Sequence, residues 1–130
     1  MISNLDIIKS TYEGDTAAEN GKNLQKYLSN NATWKEADGF PLAGVYIGFE
    51  EISKKVFKPL STEWTDYRFA VDGYVAADNR VFAYGTYYGR YNETGRTFHA
   101  RVAHLWTLEN NKILSFEQFV DSVPVIASMQ

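Results

Sequence analysis

Residues 98–123 read FHARVAHLWTLENNKILSFEQFVDSV. Two runs of alternating apolar and polar residues flank the polar tetrapeptide Glu109-Asn110-Asn111-Lys112. Alternation at period two sends successive side chains to opposite faces of a strand, and Asn-Asn between two such runs is turn chemistry. The stretch therefore predicts a β-hairpin closed by a two-residue loop at Asn110-Asn111. It also holds both histidines of the chain, a tryptophan and the carboxylates Glu117 and Asp121.

Such a loop pairs His104 with Glu117, Trp106 with Ser115, Val102 with Phe119 and Ala100 with Asp121, all on one face. A second two-residue turn at Thr94-Gly95 sets Gly85 beside His104, Ala83 beside Trp106 and Gly89 beside Ala100. Small residues next to ionisable and aromatic ones leave room above the sheet, as a pocket floor requires. A one-residue bulge reverses these faces. The opposite face, with Tyr84, Tyr88, Leu105, Leu114 and Phe116, is equally apolar, and the pattern leaves open which face is buried.

Residues 64–76 and 81–91 alternate in the same way around a turn signal at Asp78-Asn79, giving a four-strand antiparallel meander. The N-terminal half follows period 3.6 instead. Ser3 or Asn4 caps a first helix with Leu5, Ile8 and Tyr12 on one side, ended by Gly14. Thr16 with Glu19 opens a second as a capping box, with Leu24, Tyr27 and Leu28 inward. A third spans residues 49–58 and is closed by Pro59. Between the second and third, residues 32–38 form a short strand with Trp34 and Glu36 on one face. Helices first and a meander after them define an α+β fold: a curved antiparallel sheet with three N-terminal helices on one face.

The 130 residues suit a single domain over 1–130. A net charge of −3 and no Lys/Arg cluster argue against a nucleic-acid partner. The absence of cysteine excludes disulfides, thiol nucleophiles and thiolate metal sites. The N-terminus lacks the basic start and apolar run of a signal peptide, and no run is long enough to span a bilayer, so a soluble, cytoplasmic protein without membrane contact is expected. There is no phosphate-binding glycine loop, no HExxH and no GxSxG.

Together, the helix-helix-strand-helix-meander order, Trp34, the segment Gly44-Val45-Tyr46-Ile47-Gly48, the run Arg101-Val102-Ala103-His104-Leu105-Trp106-Thr107 and the run Phe116-Glu117-Gln118-Phe119-Val120-Asp121 resemble the SnoaL-like polyketide cyclase family of the nuclear transport factor 2-like superfamily. The resemblance covers nearly the whole chain. It implies a cone enclosing an apolar cavity, chemistry without a cofactor, an acidic residue that removes a proton beside a carbonyl, and pairing of two subunits through the sheet. Relatives include cyclases, ketosteroid isomerases, epoxide hydrolases and non-catalytic binders, so the site has to decide the function.

Asp121, at the end of the last strand, is the candidate base; an apolar cavity would raise its pKa toward neutrality. The competing reading makes it a cap for the C-terminal turn. His104 is the candidate to hold the substrate oxygen, and Glu117 to orient it. Asp121 and His104 are too far apart for a direct bond and act only through a ligand lying between them. Trp34, Tyr46, Trp106 and Phe119 are candidate walls for a small, apolar, cyclic ligand, with ordinary core packing as the alternative for each. His99 and Arg101 fall on the other face; were the register reversed, Arg101 would be the polarising cation. The expected activity is that of a cofactor-independent cyclase or isomerase acting as a homodimer. Its rival is a non-catalytic ligand-binding or dimerisation module.

Overall fold

In the computed structural model, which describes residues 2–130, the first helix α1 (Asn4–Tyr12) is capped by Ser3, whose Oγ accepts the Asp6 N–H at 3.1 Å. It buries Ile7 and Ile8 completely and ends at Tyr12. Helix α2 (Ala17–Tyr27) is capped by Thr16, which accepts the Glu19 N–H, while the Glu19 carboxylate reaches back to the Asp15 N–H. Caps of this kind contribute about 1 kcal/mol each. The chain then enters strand β1 (Leu28–Glu36) directly, earlier than the short strand expected over 32–38. Strand β2 (Gly44–Ile47) pairs antiparallel with it.

Pro59 does not close the third helix. Helix α3 (Phe49–Ile52) runs into a π-helical turn (Ser53–Phe57) and on into α4 (Lys58–Glu63). The wider turn sends the Lys58 N–H to the Ser53 carbonyl. Pro59 then stands in the first turn of α4, where a missing N–H costs little. Ile52 and Val56 are buried in the core, and Phe49, Ser53 and Phe57 flank the interior cavity.

Strands β3 (Trp64–Ala77), β4 (Arg80–Tyr91), β5 (Thr97–Glu109) and β6 (Lys112–Val120) form the expected antiparallel meander. The full order is β2-β1-β6-β5-β4-β3, and β1 runs parallel to β6, so the curved six-stranded sheet is mixed rather than wholly antiparallel. A short helix α5 (Ser122–Ser128), absent from the sequence expectation, follows β6 and packs against β5. No helix among the described residues is long and apolar enough to cross a membrane.

The last hairpin turns as expected, with Asn110 and Asn111 both at positive φ (52° and 61°) and Glu109 opposite Lys112. The register beyond it differs. Leu108 pairs with Ile113 but Thr107 pairs with Ser115, so Leu114 is an extra residue on β6. The cause is packing. Ile113 is fully buried, and Phe116 stacks on Trp34 with ring centroids 3.8 Å apart. Three positions apart, they would face opposite ways in a regular strand; the bulge turns both inward. Beyond it the inward residues are Phe116 and Gln118, and the outward ones Glu117 and Phe119. His104 is opposite Gln118, not Glu117. Between β4 and β5 the loop is longer than two residues, and Ala83 rather than Gly85 sits beside His104. That shift is even, so the faces of β4 and β5 are those expected.

Candidate active site

The sheet and the helices line an open cavity of about 800 Å³, within the range of small-molecule sites. Its walls are mostly apolar: Leu24 from α2, Phe49 and Phe57 from the third helical segment, and Trp34, Trp106 and Phe116 from the sheet. Tyr12 brings a hydroxyl to this surface and His104 the edge of a ring whose nitrogens are both engaged, and Lys58 stands among its outer residues.

His104 is held from both sides. Its Nδ1 lies 2.6 Å from the Tyr12 hydroxyl and its Nε2 lies 2.6 Å from the Tyr87 hydroxyl. The Trp106 indole N–H donates to the Tyr12 oxygen at 2.8 Å. The Gln118 amide donates to the Tyr87 oxygen at 3.0 Å, and its own oxygen accepts the Ala37 backbone N–H. Burial pushes the His104 imidazolium down to about 3, so the ring is neutral at physiological pH. Burial likewise holds the Tyr12 and Tyr87 hydroxyls well above the usual phenol range, so both keep their protons.

Glu36, at the end of β1, is a buried carboxyl of the sheet, 3% exposed and in no salt bridge among the described residues. Desolvation raises it to about 8, partly offset by the indole of Trp34. That indole N–H is itself buried without a hydrogen bond, so it acts on Glu36 as a nearby dipole. Trp34 lines the cavity, and Glu36, two residues further along the same face of β1, does not.

Of the residues singled out in the sequence, His104, Trp34 and Trp106 come together on the cavity. Tyr46 packs against the same core with its hydroxyl on the Leu42 carbonyl, outside the lining. The remaining three are elsewhere. Glu117 faces outward, 3.8 Å from Lys35, and does not orient His104. Phe119 is 45% exposed on the outer face, stacked near Phe82. Asp121 is exposed; it accepts the Val123 N–H as the cap of α5 and borders an outer groove with Arg96, His99 and Arg101. The structure does not bring Asp121 and His104 to one cavity. Arg101 is likewise outside, paired with Asp72 at 2.6 Å.

Tyr12, Tyr87, Gln118 and Glu36 complete the site, and sequence reasoning gave them little weight. Glu36 carried one usable signal, its shared parity with Trp34. Gln118 carried a misleading one, because an unbulged β6 turns it outward.

A curved, open, mixed six-stranded sheet with helices packed on it is the fold this chain shares with nuclear transport factor 2-like proteins. The chain belongs to the SnoaL-like domain family, whose model matches residues 8–116. An NTF2-like protein from Burkholderia thailandensis is 35% identical with a TM-score of 0.94, over 100% of this chain and 99% of its own. TerC, co-crystallised with polyporic acid, is 21% identical with a TM-score of 0.82 over 97% of both chains. A Catenulispora acidiphila protein with a ketosteroid isomerase-like fold, solved with trimethylamine, is 16% identical with a TM-score of 0.76, over 97% of this chain and 93% of its own. At these identities the last two show the fold alone. No curated protein gives a significant match.

Proposed function

We propose that this SnoaL-like domain binds a small, apolar, cyclic carbonyl compound in the cone cavity and moves a proton on the carbon beside that carbonyl. The observation that carries the reading is the cavity itself: about 800 Å³ of aromatic-walled space with Tyr12 and His104 on its floor. Trp34, Trp106 and Phe116 pack on one another and offer a continuous aromatic surface against which a flat ring can lie, and a ligand oxygen finds its polar partner at the Tyr12 end. The co-crystal of TerC with polyporic acid supports a ligand of this kind.

The carboxyl for proton transfer is Glu36 rather than the exposed Asp121. Burial keeps Glu36 near 8, so about a tenth of the molecules carry the carboxylate at pH 7, and that carboxylate is strongly basic. A second copy of the chain is the proposed partner, covering the outer face of the sheet, where Val45, Ile47, Tyr84, Leu114 and Phe119 are exposed.

One observation favours a rival, non-catalytic binder: Glu36 is buried and does not itself line the cavity. Tetralone as probe separates the two. The catalytic reading expects thermal stabilisation by tetralone, and deuterium exchange beside its carbonyl that drops at least about 100-fold in Glu36→Gln while stabilisation persists. Stabilisation without exchange establishes the binder. A panel of cyclic ketones and quinones that leaves the melting temperature unmoved overturns both.

A further inference from the structure

The hydrogen bonds around His104 have a direction, and it can be followed from the backbone inward. The Ala37 N–H can only donate, so the Gln118 oxygen is the atom that faces it and the Gln118 NH₂ is the group that faces Tyr87. The Tyr87 oxygen therefore accepts from Gln118. The Tyr87 proton must go elsewhere, because a buried donor left unpaired costs about 1–3 kcal/mol. Tyr67 packs nearby, ring centroids 5.2 Å apart, and its hydroxyl acts on Tyr87, but from beyond hydrogen-bonding distance, so it is a poorer acceptor than His104. The acceptor in reach is His104 Nε2 at 2.6 Å.

A neutral imidazole carries one proton. With Nε2 accepting, the proton is on Nδ1, which donates to the Tyr12 oxygen 2.6 Å away. The Trp106 indole donates to that same oxygen. Tyr12 thus accepts two hydrogen bonds, which polarise its O–H, and has its own proton unspent at the cavity surface.

We infer that Gln118 and Tyr87 are positioning residues that set the His104 tautomer, so that Tyr12 presents a donor to the cavity and selects a ligand by an acceptor oxygen, a ketone, quinone or enolate, rather than by an ammonium or amide N–H. The ligand half of this inference rests on the proposed cavity function; the tautomer half does not.

Nitrogen-15 NMR of the imidazoles tests the tautomer without any ligand, with His99→Ala used to assign the two histidines. The expected result is a protonated Nδ1 and an unprotonated Nε2 on His104; the opposite tautomer overturns the inference. In Gln118→Glu a carboxylate accepts the Tyr87 proton, Tyr87 then accepts from Nε2–H, and the tautomer reverses. A folded Gln118→Glu protein that keeps the Nδ1 proton overturns the role of Gln118. For recognition the probes are fluorenone and fluorene, alike in shape. Wild type is expected to favour the ketone by about tenfold, and folded Gln118→Glu to lose that preference. Equal binding of the two by wild type overturns the recognition half. Failure of both probes to bind, with the Nδ1 tautomer present, counts against the proposed function and leaves the positioning role standing.

Discussion

Tyr12 at the end of α1 and His104 in the middle of β5 meet with 2.6 Å between Oη and Nδ1, across 92 positions of sequence. The contact ties the first helix to the centre of the sheet and places both side chains on the cavity. His104 and Glu36 are two buried ionisable groups whose burial has opposite electrostatic consequences.

His104 and Glu36 set the pH dependence of stability. The folded His104 pKa is about 3 against an ordinary 6.5, so below 6.5 the unfolded chain binds a proton that the folded one refuses, and stability falls as the pH drops toward 3. The folded Glu36 pKa is about 8 against 4.5, so above 4.5 the unfolded chain ionises first, and stability falls as the pH rises toward 8. Between about 4.5 and 6.5 the two slopes cancel. Their combined contribution is therefore greatest near pH 5.5 and falls on either side by about 1.4 kcal/mol per pH unit, roughly 2 kcal/mol in all by pH 3 or pH 8. Urea unfolding across pH should show Glu36→Gln losing the alkaline decline and His104→Asn the acidic one.

Two glycines should respond oppositely to alanine. At Gly85 a β-carbon would lie 2.0 Å from the Ala70 carbonyl oxygen, where β3 bulges at Asp72 against β4. Backbone cannot give way there, so Gly85→Ala should cost at least about 1–3 kcal/mol. At Gly21, inside α2, a β-carbon meets nothing within 4 Å. Gly21→Ala should stabilise by about 0.5–1 kcal/mol through helix propensity. Melting temperatures of the two variants, measured side by side, check both signs.

Asp121 should behave as a cap. Asp121→Ala is expected to cost about 1 kcal/mol, and Asp121→Asn much less, because the amide oxygen can still accept the Val123 N–H. Neither should alter tetralone exchange. Denaturant midpoints and exchange rates of the two variants test this, and a large loss of exchange in Asp121→Asn would return the base role to that residue.

The outer sheet face should be the dimer surface. Phe119, beside Phe82 and 45% exposed, is its natural anchor, and a lysine there places an uncompensated charge in the contact. Sedimentation at micromolar concentration should show a dimer for wild type and a monomer for Phe119→Lys, with the unfolding midpoint of the isolated subunit little changed.

Local chemistry by itself determined a large part of this protein. Period-two alternation marks the four strands of the meander, Ser3 and Thr16 mark two helix starts, and Asn110-Asn111 marks the hairpin. These are legible because they depend on neighbours in sequence. The inward facing of Trp34, His104 and Trp106 was legible because the alternation around each is unbroken. The bulge at Leu114 was decided only in three dimensions, by the need to bury both Ile113 and Phe116 against β1 and β5. A single extra residue moved Glu117 and Phe119 to the outside and brought Gln118 in. The same holds for Tyr12, Tyr87 and Glu36: an ionisable or hydroxyl side chain acquires its role from what surrounds it, and those surroundings come from remote segments that no local pattern encodes.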